Sequence, residues 1–353
     1  MRIRDRGIGA GEPPYVIAEL GVNHDGSEAT LHALINAAAN AGADAVKLQL
    51  FRADDLLAAA APLAGYQRRS GEDDAASMLR RLELSLDAAR GAIDAAHAAG
   101  LHAIATVFDL PLVASAAALP LDAFKTASPD IVHRPLLDAL AATGRPLIAS
   151  TGAATREEVA RAIGWLRPAR QRLAVLQCVS AYPTPSEHAA VAALHDLATL
   201  HDGPVGYSDH TADADTGALA VALGAHVLEK HLTLDRTAPG PDHAASIEPA
   251  EMAEYVRLAH AASKGDWTHD PGDPRLGSGR KAVLDIEADV RRVARRSIVA
   301  ARSLDVGVVL RAGDLAFKRP GGGLEPWQDG DLLGRALAVD VAADQPLSLG
   351  HLL

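Results

Sequence analysis

Two lysines stand inside short apolar runs, Lys47 in AVKLQ and Lys125 in AFKT. An ammonium in such a place must meet an anion or lose its proton, because an unpaired charge in an apolar interior is costly. Thr106, Ser128, Ser150 and Ser208 follow other apolar runs in comparable places. Cations and hydroxyl donors gathered in this way would suit a phosphate. The competing reading pairs each lysine with a nearby carboxylate such as Glu19. His210 and His231 stand 21 residues apart. On adjacent strands, two neutral imidazoles could ligate one divalent ion and leave positions open for water and substrate. They could also be two hydrogen-bonded structural residues among the 15 histidines. Glu19 suits a general acid or base, or a structural counter-ion. Cys178 reads as a packed small residue, since no histidine sits at an obviously activating sequence position. Asp242 and His243, in the rigid segment PGPDH, are candidate contacts or turn residues.

These side chains need elements to place them. Strand-like runs are expected at 15–19, 45–49, 102–106, 123–126, 146–150, 173–178, 205–208 and 227–231, and helical patterns lie between them, for example at 29–41, 87–99, 157–166 and 212–223. Several helical stretches close on glycine, as at Gly42, Gly100, Gly144 and Gly224, the usual C-terminal stop. Such alternation implies a parallel sheet. The number of strands predicts an α/β fold, a (β/α)8 TIM barrel with functional residues at the C-terminal ends of its strands. An open doubly wound sheet is the runner-up, but the glycine-rich dinucleotide fingerprint is missing after the first strand. Polar residues close strand after strand: Glu19, Lys47 with Gln49, Thr106, Lys125, Ser150, Tyr182, His210 and His231. The connection over 51–84 is long enough to be a lid or an insertion. A catalytic barrel at 1–265 and a linker at 266–294 are expected, the basic stretch Arg291, Arg292, Arg295 and Arg296 reading as a solvated face. A small β-rich domain follows at 295–353.

Composition narrows the function classes. The 353 residues carry 34 Lys and Arg against 45 Asp and Glu, a formal charge of −11. Such a surface repels phosphate backbones, so no nucleic-acid partner is expected. Cys178 is the single cysteine, which excludes an internal disulfide and fits a reducing compartment. No apolar run approaches the roughly 18 residues of a membrane span, and the first residues lack the apolar core of a signal peptide. A cytoplasmic protein without membrane contact is expected.

The segments IAELGVNHDG (17–26), AGADAVKLQLFRADDL (41–56), FKTASPD (124–130), STG (150–152), YPTP (182–185), GYSDHT (206–211) and EKHLTLDRTAPGPDHAASIEP (229–249) together resemble the sialic acid synthase family, which makes nonulosonic acids. The stretch 295–323 is similar to the antifreeze-protein-like SAF domain that closes those enzymes. The resemblance implies condensation of phosphoenolpyruvate with the open-chain aldehyde of an N-acetylmannosamine-type 2-acetamido sugar, releasing phosphate by C–O cleavage, with a divalent cation (Mn2+ or Mg2+). It implies His210 and His231 as metal ligands, and Lys47, Thr106, Lys125, Ser128, Ser150, Ser180 and Ser208 around phosphoenolpyruvate. Glu19 would be the central acid or base, and Gln49, Tyr182 and Asp242 would line the sugar side. Arg319 would reach from the SAF domain into a partner subunit's barrel, giving a domain-swapped homodimer. Val107, Pro129 with Asp130, Gln177 and Ser180 depart from the family pattern, which leaves the acceptor sugar open. A metal-dependent pyruvate aldolase and a non-catalytic sugar-binding protein are the alternatives.

Overall fold

In the computed structural model, which describes every residue except Ala60, a short hairpin precedes a closed barrel. The hairpin strands are β1 (Arg2–Ile3) and β2 (Arg6–Gly7). The barrel strands are β3 (Tyr15–Gly21), β4 (Ala45–Leu50), β5 (His102–Val107), β6 (Ala123–Thr126), β7 (Leu147–Ser150), β8 (Leu173–Cys178), β9 (Val205–Asp209) and β10 (Val227–His231). All neighbours pair in parallel, and β10 closes on β3 with Val227 opposite Tyr15. Helices such as Glu28–Asn40, Leu86–Ala98 and Arg156–Trp165 cover the outside. Side-chain alternation splits the apolar residues into two sets. Val16, Ala18, Val46, Leu48, Ala103 and Val175 face the helices, while Tyr15, Ile17, Ala45, Ile104, Ile148 and Ala174 plug the bottom of the barrel. The plug leaves the opposite, C-terminal end of the strands to polar residues.

The connection after β4 covers that end. Its helices Ala53–Leu56, Gly65–Arg69 and Ala75–Leu82 bury Leu56, Leu63, Met78, Leu79 and Leu82 against Phe51, Phe108 and Val22. A helix of this segment is held by side-chain caps, Asp74 accepting from Ser77 at 2.7 Å, as expected for a first turn.

After the last barrel helix (Pro249–Ser263), residues 266–294 run back over the barrel instead of standing in solvent. Of the basic stretch expected as a solvated face, Arg292 alone remains solvent-exposed, and the other three arginines are paired with the barrel. Arg291 and Arg295 pair with Glu158 at 2.7 Å and 3.0 Å. Arg296, 2 % exposed, lies 3.0 Å from Asp130 and 3.7 Å from Asp109 and donates to the Phe108 carbonyl. Buried guanidinium groups persist only when paired in this way. Strands β11 (Ser297–Ala300) and β12 (Leu315–Lys318) then pair antiparallel over a separate core of Ile298, Leu304, Leu310, Leu332, Leu337, Val341 and Leu347. This unit docks on its own barrel. The Phe317 ring packs on His133 with centroids 4.7 Å apart.

Arg319 joins the segment that covers the barrel mouth. Its amide donates to the Leu56 carbonyl and its carbonyl accepts from Ala58, both at 2.9 Å. The guanidinium lies over the Phe108 ring at 5.6 Å. Within this chain Arg319 lines the barrel mouth, where Arg295 and Arg296 tie the small unit to the barrel.

Candidate active site

One cavity opens at the C-terminal end of the barrel. Lys47, Gln49, Thr106, Lys125, Ser128, Ser150, Ser180, Tyr182, Ser208, His210, His231, Asp242 and Arg319 all line it. Of the residues that the resemblance assigns to the site, only Glu19 is absent from that wall; Cys178 and His243, also singled out in the sequence, do not line it either. Glu19 stands directly behind, fully buried, with Oε2 2.6 Å from Lys47 Nζ and Oε1 accepting from Gln49 Nε2 at 3.0 Å.

Gly21 makes this packing possible. It sits at φ 48°, where β3 bulges against β4, and a Cβ there would fall 3.0 Å from Glu19 Oε1 and 3.1 Å from Gln49 Nε2. A side chain would be strained in that conformation and would also enter the carboxylate's space.

Both lysines point inward, and both face a third carboxylate. Glu229 Oε2 is 3.5 Å from Lys47 and Glu229 Oε1 is 3.6 Å from Lys125, while Ser208 Oγ donates to Oε1 at 2.8 Å. Burial alone would push the Glu229 carboxyl up. Lys125 and Lys47 outweigh it and hold the group down at about 2. Burial brings Lys47 down to about 8, although Glu229 opposes the shift. Lys47 also donates to Thr106 Oγ1 at 3.1 Å. Sequence reasoning assigned Glu229 no role, yet it lies two residues before His231. Strand alternation turns both to the same side, so the signal was there to read.

The hydroxyls of Ser150 and Ser180 are buried with no hydrogen-bond partner. Ser128 Oγ accepts from the Gly152 amide at 2.9 Å. A Cβ on Gly152 would lie 2.3 Å from Ser180 Oγ and 2.9 Å from both Ser128 Oγ and Cys178 Sγ, so two serine hydroxyls and a thiol converge on a spot that only glycine leaves open. Unsatisfied buried donors beside two ammonium groups are what an incoming anion would satisfy.

The two histidines meet on the other side of the cavity, with ring centroids 5.4 Å apart. Tyr182 packs on His210 at 4.2 Å and edge-on to His231 at 6.2 Å. His210 Nδ1 is engaged by the Val179 carbonyl at 2.8 Å, which leaves Nε2 as the free nitrogen. His231 Nδ1 has no hydrogen bond and lies 3.8 Å from Asp242 Oδ2. Burial, reinforced by His210 and Lys47, holds His231 well below the usual imidazole range, so its ring is neutral, as a ligand must be. Burial pushes Asp242 up to about 6. Among the described residues, no group of three His, Cys, Asp or Glu side chains is arranged to hold a metal ion. Two imidazoles with one carboxylate nearby fit an open site whose other positions go to water and substrate. Cys178 is buried as expected, but a histidine does stand beside it, His210 Nδ1 at 3.7 Å from Sγ.

Residues of the covering segment complete the cavity, and the sequence reading had not assigned them. Tyr66 stacks on Tyr182 at 4.9 Å, and Gln67, Phe51, Met78 and Phe108 also line the wall. Of the departures from the family pattern, Pro129 and Ser180 reach the cavity. Asp130 is instead paired with Arg296, and Gln177 Nε2 bonds the Ala190 carbonyl at 3.3 Å. Neither of these two touches the space a sugar would fill.

The fold is a closed (β/α)8 barrel whose mouth joins two lysines, unpaired serines and two facing histidines, an arrangement suited to an anionic ligand. Residues 34–267 match the NeuB family and residues 295–353 match the SAF domain. The chain belongs to the NeuB family. It is 35% identical over 345 residues, 96% of this chain and 94% of the relative, to the N,N'-diacetyllegionaminic acid synthase of Legionella pneumophila. It is 31% identical to the human N-acetylneuraminate-9-phosphate synthase, covering 97% of this chain and 93% of the relative. The solved structure of spore coat polysaccharide biosynthesis protein spsE from Bacillus subtilis superposes with a TM-score of 0.85 at 30% identity, over 100% of this chain and 99% of that one. Relatives of this chain are thus synthases of the sialic acid type.

Proposed function

We propose that the protein condenses phosphoenolpyruvate with the open-chain aldehyde of an N-acetylmannosamine-type 2-acetamido sugar, giving a nonulosonic acid and inorganic phosphate. The observation that carries this reading is the single cavity in which Lys47, Lys125 and the unpaired Ser150 and Ser180 face His210 and His231. The first group suits the phosphate of phosphoenolpyruvate, with Thr106, Ser128 and Ser208 around it. The second suits a divalent cation, Mn2+ or Mg2+, held by His210 and His231 with Asp242 nearby. Gln49, Tyr182, Asp242 and Arg319 fall on the side left for the sugar.

Charge balance supports a cation here. Lys47 and Lys125 are already met by Glu19 and Glu229. A phosphate and a carboxylate entering together therefore meet no surplus positive charge from these four groups, and unpaired charge in a buried site is costly. Bound beside the two imidazoles, a divalent cation would supply Lewis acidity for the aldehyde oxygen.

The chain's own residues do the rest. C3 of phosphoenolpyruvate forms the new bond to the aldehyde carbon, and the aldehyde oxygen takes a proton. Positive charge then develops at C2, which the Glu19 carboxylate behind Lys47 would help to stabilise. A water oxygen adds at C2 and loses one proton. The C2 hydroxyl passes its remaining proton to the departing phosphate as the C2–O bond to phosphate breaks, C2 becomes the ketone, and the phosphate leaves into the Lys47 and Lys125 cradle. His231→Ala tests this reading. The variant should bind phosphoenolpyruvate and release no phosphate, and a variant with unchanged turnover would remove the cation from the account.

A further inference from the structure

We infer that Glu287, from the segment that connects the two domains, is a positioning residue for the phosphate end of the site. The inference rests on the proposed reaction only for the name of the substrate. Glu287 is fully buried, and its carboxylate takes three backbone amides. Oε1 accepts from Ala153 at 2.6 Å and from Ser180 at 2.7 Å, and Oε2 accepts from Leu284 at 2.8 Å. The first two belong to different barrel loops, one after β7 and one after β8. These are the loops that carry Ser150 with Gly152, and Ser180.

The same segment also holds the other side of Ala153. Its carbonyl accepts from Arg295 Nη2 at 2.9 Å and from Arg291 Nη1. Ala153 lies at φ 50°, the left-handed region that residues other than glycine, Asn and Asp seldom adopt. A strained conformation of this kind persists only where its surroundings enforce it, and here Glu287 grips the N–H while the arginines grip the C=O. The neighbouring Gly152 then presents its amide to Ser128, and its bare Cα leaves room for Ser180 Oγ. Glu287 itself does not line the cavity. Its influence passes through the two chain segments that carry the unpaired hydroxyls of Ser150 and Ser180.

A carboxylate receiving backbone amides is a strong, charge-assisted acceptor. In Glu287→Gln the single oxygen either stays on the two loop amides while the NH2 opposes the Leu284 N–H, or turns to Leu284 and leaves both loops facing the NH2. In either orientation the loops lose the charged acceptor that holds them. Misplacement of a binding group by a fraction of an ångström is enough to lose binding. Glu287→Gln should raise KM for phosphoenolpyruvate about tenfold while kcat and KM for the sugar hold. Inorganic phosphate gives a second readout that needs no turnover. It should raise the melting temperature of the unaltered protein and fail to raise that of Glu287→Gln. Glu287→Asp, which keeps the charge and shortens the reach, should fall between them and serves if the Gln variant does not fold. A folded variant with unchanged KM and an unchanged phosphate-induced shift would overturn the inference, as would KM values for both substrates rising together. Should the unaltered protein release no phosphate with any sugar, the proposed reaction fails while the melting experiment still decides the role of Glu287.

Discussion

Substituting Gly152 by alanine puts one methyl group at the centre of the proposed phosphate subsite. Its Cβ would lie 2.3 Å from Ser180 Oγ, 2.9 Å from Cys178 Sγ and 2.9 Å from Ser128 Oγ, where ordinary contacts begin at 3.4 Å. Ser180 can rotate away, but Cys178 is fixed within β8 and Ser128 is bonded to the Gly152 amide. Overpacking of this kind costs about 1–3 kcal/mol of stability. Function should suffer more, since the methyl displaces at least one hydroxyl that would donate to a charged oxygen. One such bond contributes about 1.5–3 kcal/mol, or about tenfold to a hundredfold in affinity. The assay is KM for phosphoenolpyruvate alongside thermal unfolding with and without phosphate. Gly164→Ala is the control. Gly164 is exposed within the helix Arg156–Trp165 with nothing within 4 Å of a Cβ, so it should gain about 0.5–1 kcal/mol and leave KM alone. A Gly152→Ala protein with unaltered KM would refute the convergence of serines on a ligand.

Three further outcomes follow from the buried charges. Lys47 is held down at about 8, so it loses its proton as pH rises through 8. The value of kcat/KM for phosphoenolpyruvate, which reports the free protein, should decline above that point, and Lys47→Met should lack this limb. Burial raises Asp109 from 3.8 to about 6, against the pull of Arg296. Between those values the folded state keeps a proton that the unfolded state has released, so stability falls as pH rises through the window, on the order of 3 kcal/mol from this group. Denaturant unfolding across that range should show the loss, and Asp109→Asn should reduce it. The homodimer that the family resemblance implies predicts that mixing inactive Glu19→Ala and Arg319→Ala proteins restores part of the turnover, and no recovery would place Arg319 in the site of its own chain. Recovery on mixing would show that the arginine is supplied between subunits.

Much of this molecule could be read from its sequence, and the exceptions share a cause. The barrel strands were legible because apolar runs alternate with amphipathic helices closed by glycines, several of which do adopt the left-handed conformation, Gly42 at φ 81° and Gly100 at φ 80°. The inward direction of Lys47, Lys125 and His231 followed from strand alternation alone. What depends on contacts far apart in the chain was not visible. Arg291, Arg295 and Arg296 look like a solvated basic run until Glu158, Asp109 and Asp130 are brought to them. Cys178 seemed to lack a histidine because His210 comes from the next strand. Within this chain, the place of Arg319 at the barrel mouth is set by those same arginine pairs. Glu287 carried no local sign of its part, since its partners are backbone amides that any sequence possesses.

The central claim is tested most directly by the reaction itself. Metal-stripped protein would be given phosphoenolpyruvate, Mn2+ and a panel of 2-acetamido sugars, with inorganic phosphate and product mass followed together. The account predicts phosphate release that requires both the cation and one sugar of the panel. The product should have the mass of the sugar plus phosphoenolpyruvate and water, less phosphate. Phosphate released without that product, or a product formed from pyruvate with no phosphate released, would contradict it.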